Sequence, residues 1–174
     1  MLRLFVGIDL PPELKLNLSL IQAGLAGARW IDPGNFHVTI RFIGEVDEGV
    51  ASDVDEALRK LREPRFSLNL AGVGTFGGRQ LYVDVEKSPA LVHLRDKVES
   101  ALVRLGLEPE GRRFSPHVTL ARLRAKEPRL EAYLRDHALY RAPPFAVTRF
   151  NLVASYLTKA GSIYEDQADY PLTG

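Results

Sequence analysis

The chain has 174 residues, a mass of 19.4 kDa and a net charge of +1 from 23 basic and 22 acidic side chains. This length fits one ordinary domain, and 45% hydrophobic with 26% charged residues is typical of a soluble globular protein, not of a disordered or membrane protein. The lack of cysteine excludes disulfides, thiolate metal sites and cysteine nucleophiles, and the balanced charge means that any contact with a polyanion needs a local basic cluster.

The N-terminal segment carries no pattern typical of secretion. Residues 1–9 are too short, and too soon interrupted by charge, to be a signal peptide. No apolar run approaches the ~20 residues that span a bilayer. The sequence therefore predicts a cytoplasmic protein with no membrane contact.

The first half of the chain alternates strands and helices. Apolar and β-branched residues predict strands over 2–9, 36–43 and 66–76. Helix-spaced leucines predict a helix over 12–26, and Asp47 is placed to cap a second helix that stops short of Pro64. The predicted order is β-α-β-α-β.

The second half repeats this order. Its predicted elements are a strand at 80–86, a helix opened by Ser88 and Pro89, a strand at 116–123, a helix near 128–138 opened by Pro128, a strand at 145–157 and a closing stretch at 162–170. Aligning the two halves so that Leu4 matches Leu81 also matches Val6 with Val83 and Pro12 with Pro89.

The repeat predicts a single bilobal α+β domain over residues 1–174. Repeat one covers about 2–76, repeat two about 80–157, and the strand at 162–170 closes the fold. A repeat that fills nearly half of the chain is too long for a solenoid unit, so two copies indicate a pseudo-twofold pair of lobes. A cleft between related lobes is a natural ligand site.

Each repeat carries the same His-x-Thr pattern in its middle strand. Copy one has His37 and Thr39, and copy two has His117 and Thr119. Residues i and i+2 of a strand share one face, so each strand presents an imidazole and a hydroxyl together. A single His-x-Thr is usually a structural histidine beside a good strand former, but two copies at matching places favour a shared site.

Two facing imidazoles suit paired acid and base catalysis. Near pH 7 one can be neutral and the other protonated, which is the split needed to deprotonate a nucleophile and protonate a leaving group. Threonine hydroxyls beside them can donate to the oxygens of a small anion. In-line displacement at phosphorus needs groups on both sides, so phosphodiester cleavage fits best.

Other chemistries fit the sequence less well. A metal site is the rival interpretation of paired histidines, but no cysteine or acidic cluster completes a ligand set, so we expect none. No G-x-S-x-G turn supports a serine hydrolase, and no P-loop or dinucleotide fingerprint is present. His93 and His137 lie in helical patterns and are expected at the surface.

Arginines and one aromatic residue accompany the motifs. Arg113 precedes the second motif, while Phe42 and Arg122 each follow their histidine by five residues. Guanidinium groups suit phosphate, although such arginines often lie on a solvated strand edge. A flat ring and a flat cation can sandwich a nucleobase. Strict alternation puts an odd offset on the opposite face, so this role requires a strand end, a bulge or a twist.

Segments along the whole chain carry a family resemblance: Arg3 to Val6 with Pro11 and Pro12, Phe36 to Gly44, Gly72 to Phe76, Pro116 to Arg122, and Ser155-x-Leu157 with Gly161 and Tyr164. On these segments the sequence resembles the two-histidine phosphoesterase superfamily. Within it, the sequence is most similar to the bacterial and archaeal RNA 2′,3′-cyclic phosphodiesterases once called 2′-5′ RNA ligases. Both signature motifs are intact.

The resemblance implies a bilobal α+β fold whose antiparallel sheets line a central cleft. It implies metal-independent hydrolysis of RNA or nucleotide 2′,3′-cyclic phosphates to 2′-phosphates, with 2′-5′ ligation as the reverse reaction. We expect tRNA fragments among the substrates, and a monomer that needs no cofactor. His37 would protonate the departing 3′ oxygen, His117 would activate water, and both motif threonines would hold phosphate oxygens. Phe42 and Arg122 match positions that contact the terminal nucleotide.

Two alternatives remain open at this point. The first is an RNA-end binding module that keeps the pocket without significant turnover. The second keeps the hydrolysis but changes the substrate to 2′-5′ oligoadenylates. The acid and base assignments are also interchangeable, because ligation by the reverse reaction exchanges the two roles.

Overall fold

The computed structural model describes residues 1–124 and 126–174. Four α-helices and ten strands are found in this part of the chain. In chain order they are β1 (Leu2–Asp9), α1 (Pro12–Ser19), β2 (Arg29–Trp30), β3 (His37–Val46), α2 (Glu48–Arg59), β4 (Phe66–Leu68), β5 (Leu70–Phe76), β6 (Gln80–Val85), α3 (Pro89–Arg104), β7 (His117–Arg122), α4 (Leu130–Asp136), β8 (Phe145–Val147), β9 (Arg149–Thr158) and β10 (Gly161–Pro171).

The strands form two four-stranded antiparallel sheets and one short pair. The first sheet has the order β10-β9-β1-β3, the second has the order β2-β7-β6-β5, and β4 pairs with β8. This arrangement confirms the expected α+β class with antiparallel sheets. The division of the chain into repeats at about 2–76 and 80–157 stays a prediction.

The two halves of the chain exchange strands. β5, from the first half, pairs with β6 of the second half, and β9, from the second half, pairs with β1 of the first. Each sheet therefore contains backbone hydrogen bonds between the two halves, across most of the chain length for β1 and β9 and across the turn at 77–79 for β5 and β6. The two halves are held together by these sheets and not only by side-chain contacts between lobes.

The register of the sheets corrects the alignment of the two halves. Gly7 pairs with Thr39 in the first sheet, and Tyr82 pairs with Thr119 in the second. Since the two threonines are equivalent, Gly7 corresponds to Tyr82, whereas the sequence alignment matches it with Asp84. The two alignments of the halves differ by two positions. Because side chains alternate along a strand with a period of two, this shift leaves each side chain on the same face, so the apolar pattern fits both alignments.

Three predicted elements are shorter than expected or divided. The helix predicted over 12–26 ends at Ser19. The backbone after it forms i to i−3 hydrogen bonds, and the side-chain amide of Gln22 donates to the carbonyls of Ile31 and Leu120. The helix expected from Pro128 begins at Leu130. The strands predicted at 66–76 and 145–157 are each divided in two, because their first parts pair with each other as β4 and β8.

Two predicted helix starts are confirmed by their capping hydrogen bonds. The Asp47 carboxylate accepts from Val50 N at 2.8 Å, and the Ser88 hydroxyl accepts from Leu91 N at 3.1 Å. These bonds satisfy backbone donors that a helix leaves unpaired at its first turn. Both helices then bury an apolar side against the sheets, including Val54 of α2 and Val98 of α3.

No helix in the described ranges, 1–124 and 126–174, is long and apolar enough to cross a membrane.

Candidate active site

The two His-x-Thr motifs open equivalent strands of different sheets. β3 begins at His37 and β7 begins at His117. In each strand the valine between histidine and threonine has no solvent exposure, while the histidine and threonine stay partly exposed on the other face. The strand alternation expected from the sequence is therefore present in both copies.

Each imidazole is oriented by a backbone carbonyl two residues earlier. Nδ1 of His37 lies 2.8 Å from the Asn35 carbonyl oxygen, and Nδ1 of His117 lies 2.6 Å from that of Ser115. A carbonyl only accepts, so Nδ1 carries the hydrogen in both rings. Nε2 is then the nitrogen that gains or loses a proton at each histidine.

His37 lies in an aromatic pocket. The Phe5 ring stacks on the imidazole with 4.6 Å between centroids, and Tyr164 approaches it edge-on at 5.2 Å. Nε2 lies 2.8 Å from the Thr39 hydroxyl oxygen. Burial, and to a smaller extent the charge of His117, lower the pKa of His37 below its ordinary value of 6.5. In the free protein the neutral form of His37 is therefore favoured.

His117 has a more polar environment, in which Gln80 is the main partner. The Gln80 side-chain nitrogen donates to the Thr119 hydroxyl at 2.7 Å and lies 3.2 Å from His117 Nε2. Phe76 and Tyr82 border the ring at centroid distances of 4.8 and 5.3 Å. One amide therefore orients both the imidazole and the hydroxyl of the second motif.

The two imidazoles influence each other across the cleft. β3 and β7 are neighbours although they belong to different sheets. The positive charge on His117 is among the causes that lower the pKa of His37. The two histidines are therefore close enough for their charges to interact, and in-line chemistry at one phosphorus atom requires groups on both of its sides.

A β-bulge in each strand changes which residues face the cleft. Thr39 and Arg41 pair with the consecutive residues Gly7 and Val6, so Ile40 is an extra residue. The same irregularity follows Thr119 in β7. After the bulge the alternation is inverted. The sixth residue of each strand, Phe42 or Arg122, is consequently exposed on the face that carries the histidine and threonine.

The structure places the remaining predicted binding residues as follows. Phe42 is 44% exposed, and the guanidinium of Arg3 lies 5.3 Å from its ring centroid. Arg122 is exposed and close enough to Tyr164 to affect the pKa of that phenol, which burial raises. Arg113 is exposed on the loop before β7, and no hydrogen bond or ion pair of its side chain is found within the described residues.

The other two histidines lie outside this cleft. His93 is exposed on α3 and contacts the Glu63 carboxylate at 2.9 Å. Nδ1 of His137, at the end of α4, lies 2.9 Å from the Tyr133 carbonyl oxygen. Both belong to helix surfaces, as the sequence predicts.

Several residues of the site were not found by sequence reasoning. Gln80, Phe5 and Tyr164 all contact the motif side chains. Their strands were predicted, and Phe5 and Tyr164 lie in segments that carry the family resemblance, but no contact with the histidines was predicted for any of the three. The pairing of β6 with β7 and of β1 with β3 brings Gln80 and Phe5 to the histidines, and the order β10-β9-β1-β3 brings Tyr164 to His37.

A cavity of ≈ 200 Å³ lies beside His37. It is lined by residues of β1, β9 and β10, among them Phe5, Asn151 and Tyr164. In the described part of the chain, no group of three or more histidine, aspartate or glutamate side chains is arranged to hold a metal ion.

Comparison with known proteins supports a family assignment. An RNA 2′,3′-cyclic phosphodiesterase of Aeropyrum pernix is 38% identical over 158 residues, covering 87% of this chain and 89% of that protein. A protein of the same name from Thermotoga maritima is 33% identical and covers 94% of this chain and 92% of that protein. The crystal structure of E. coli LigT complexed with 3′-AMP superposes with a TM-score of 0.84 and 25% identity, covering 99% of each chain. Residues 30–157, which include both motifs, match the profile of the 2′-5′ RNA ligase superfamily, and the chain belongs to this superfamily.

Proposed function

We propose that the chain hydrolyses the 2′,3′-cyclic phosphate at RNA or nucleotide ends and leaves a 2′-phosphate. The observation that carries this proposal is the pair of His-x-Thr motifs at the starts of two neighbouring strands, β3 and β7, that belong to different sheets. Support comes from relatives named RNA 2′,3′-cyclic phosphodiesterase at up to 38% identity. The arrangement offers a proton acceptor, a proton donor and hydroxyl donors around one anion.

In the proposed reaction a water oxygen attacks phosphorus and the bond from phosphorus to O3′ breaks. His117 Nε2 takes the proton of the water, and His37 Nε2 gives a proton to O3′. The hydroxyls of Thr39 and Thr119 donate to the phosphate oxygens that do not react. The product carries a free 3′-hydroxyl and a 2′-phosphate. Reversal of these steps is 2′-5′ ligation, in which the two histidines exchange roles.

The lowered pKa of His37 bears on its role as the acid. The free protein favours neutral His37 because the ring is buried and His117 lies nearby. A bound phosphate brings a negative charge next to the imidazole, and an adjacent negative charge raises the pKa of a histidine. The proposal therefore makes protonation of His37 a consequence of substrate binding.

Phe42 and Arg122 supply the proposed contacts to the terminal nucleoside. Both are exposed on the cleft face beyond the bulges, one from each sheet. An aromatic ring can stack on any base, and the flat guanidinium group of an arginine can stack on a base too. Arg113, exposed on the loop before β7, contributes only a nearby positive charge in this proposal.

The physiological substrate is proposed to be an RNA, with tRNA fragments that end in a cyclic phosphate as one example. Both histidines and both threonines come from one chain, so a monomer holds all the proposed catalytic groups.

The proposal is tested with purified protein and adenosine 2′,3′-cyclic phosphate in the presence of EDTA. We expect complete conversion to 2′-AMP, distinguished from 3′-AMP by chromatography or by phosphorus NMR, at the same rate with and without EDTA. Loss of activity in EDTA would contradict metal independence, and a 3′-phosphate product would contradict the departure of O3′. Binding without turnover would instead support the RNA-end binding module.

The substrate is tested with a second assay. The same protein is incubated with 2′-5′ linked oligoadenylate and with RNA ending in a cyclic phosphate. We expect a higher kcat/KM for the cyclic phosphate. The opposite preference would assign the site to 2′-5′ oligoadenylates.

A further inference from the structure

A groove of ≈ 610 Å³ opens beside the proposed catalytic groups. It lies between β2, the residues that follow β2, and the hairpin formed by β9 and β10. Asn35, Arg122 and Tyr164 all line this groove. Asn35 orients His37 and Tyr164 contacts its ring, so the groove is continuous with the catalytic cleft.

A row of paired residues leads from the catalytic cleft into the groove. Arg122 of β7 pairs with Gln80 of β6 on one side and with Arg29 of β2 on the other. Directly paired residues of antiparallel strands point to the same face of a sheet. Gln80 reaches His117 and Thr119, so both arginines also face the cleft.

Within the described part of the chain, Arg29 and Arg122 are found without negatively charged partners. No ion pair of Arg29 or Arg122 is found in residues 1–124 and 126–174, and Arg29 donates only to the Lys159 carbonyl, at 3.2 Å. Like charges directly opposite each other destabilise a sheet. Asp32 also lines the groove, but its carboxylate accepts from Gly34 N at 2.8 Å. A phosphodiester placed between the guanidinium groups would offset their repulsion.

The hairpin wall of the groove carries an exposed apolar side chain. Leu157, on the β9–β10 hairpin, is 76% exposed and pairs with Ser162, so its side chain lies on the face of the hairpin that carries Tyr164. Apolar and aromatic surfaces next to basic side chains are the pattern with which proteins bind single-stranded nucleic acid. The groove is within the size range of sites that hold small ligands such as a nucleotide.

We propose that this groove binds the RNA strand on the 5′ side of the cyclic phosphate. Arg29 and the N–H edge of Arg122 contact the phosphodiester that precedes the terminal nucleoside, while the plane of the Arg122 guanidinium stacks on the terminal base. Leu157 of the hairpin contacts the preceding base. This inference rests on the proposed function, since it takes the catalytic cleft as the site of the RNA end. Its consequence is a preference for oligonucleotides over mononucleoside cyclic phosphates.

The test compares kcat/KM for adenosine 2′,3′-cyclic phosphate and for a tetranucleotide that ends in the same group. Arg29→Gln is compared with Arg104→Gln, a matched control because Arg104 is exposed on α3 and also donates to a backbone carbonyl, that of Ser100. We expect Arg29→Gln to lower the value for the tetranucleotide about tenfold more than that for the mononucleotide. Arg104→Gln is expected to leave both values unchanged, and Leu157→Glu to reduce the tetranucleotide value selectively.

Other results overturn the inference in distinct ways. Equal kcat/KM for the two substrates in the unmodified protein, or an equal loss on both in Arg29→Gln, would show that the groove does not bind the strand. If neither substrate is hydrolysed, the proposed function fails instead. The groove is then tested by equilibrium binding of a labelled tetranucleotide with a 2′-phosphate end, where weaker binding by Arg29→Gln than by Arg104→Gln supports the inference and equal binding overturns it.

Discussion

Ile40 of β3 and Leu120 of β7 occupy equivalent positions, and each is the extra residue of a β-bulge directly after a motif threonine. Each is buried together with the residue that follows it. Two consecutive buried residues invert the alternation of the strand, so the cleft face continues at Phe42 and at Arg122. The bulges are therefore what brings the proposed base-binding side chains to the face that holds the catalytic groups.

The exposed ring of Phe42 is expected to contribute to substrate binding and not to the chemical step. Phe42→Leu should raise KM for adenosine 2′,3′-cyclic phosphate by roughly tenfold, because stacking on one base contributes about 1–3 kcal/mol. Steady-state kinetics measures this change, with Tyr156→Leu as the control because Tyr156 is 41% exposed and does not line the groove or the His37 cavity. An unchanged KM in Phe42→Leu would remove Phe42 from the site.

Gln80 is expected to act as a positioning residue for the second motif. Gln80→Leu keeps a similar volume but removes the amide that donates to Thr119 and approaches His117. We expect kcat to fall by about tenfold, the equivalent of one hydrogen bond, with little change in KM. Gln167→Leu is the control, since Gln167 is exposed on β10 and its side chain bonds to Glu165, away from both motifs. Equal kcat in the two variants would contradict this role.

The buried ion pair between Arg41 and Glu99 is expected to stabilise the fold near β7. Arg41 is only 7% exposed, and its Nε donates to the Glu99 carboxylate at 2.9 Å. A second guanidinium nitrogen donates to the Glu108 carbonyl, which fixes the loop before β7. Removing one partner of a buried pair leaves an uncompensated charge, so Glu99→Gln should lower the free energy of unfolding by about 3 kcal/mol.

Urea denaturation measures this change in stability. Glu56→Gln is the matched control, because Glu56 pairs with Lys60 at 3.6 Å with more than two thirds of both side chains exposed. Exposed pairs contribute little to stability. Equal midpoints for Glu99→Gln and the unmodified protein would show that the buried pair does not stabilise the fold.

The lowered pKa of His37 also predicts a dependence of stability on pH. In the unfolded chain the ring titrates near 6.5, whereas in the folded chain it titrates lower because it is buried. As the pH falls through 6.5, the unfolded state binds a proton that the folded state does not, so the free energy of unfolding decreases. His37→Gln should remove this decrease. Urea denaturation from pH 8 to pH 5 measures the difference between the two proteins, and parallel curves would contradict the prediction.

Much of the site follows from the sequence alone. Strand alternation places His37 with Thr39, and His117 with Thr119, and the structure has both pairs on the cleft face. Phe42 lies five residues after His37, so it can share a face with that histidine only through a strand end, a bulge or a twist. The structure shows a bulge. Sequence patterns did not decide among these three, because a bulge depends on the pairing of two distant strands.

Other parts depend on pairing that no local pattern reveals. β2 has only two residues, too few for a periodic signal, yet its pairing with β7 places Arg29 next to Arg122. Gln80 is far from His117 in the sequence and is identified only by the register of β6 with β7. The alignment of the two halves was wrong by two positions for a related reason, since strands have a period of two and both alignments keep the same faces.

The pH dependence of kcat for the unmodified protein, His37→Gln and His117→Gln tests the two-histidine mechanism most directly. We expect a bell-shaped profile for the unmodified protein, and each variant should lose about 10²–10⁴-fold in kcat while keeping its circular dichroism spectrum. With His37 as the acid, His37→Gln should lose the alkaline limb and keep the acidic one, and His117→Gln should do the reverse. If His37→Gln instead loses the acidic limb and His117→Gln the alkaline limb, the acid and base roles are exchanged. Full activity in either variant, or a variant profile that keeps both limbs, would contradict paired catalysis by these histidines.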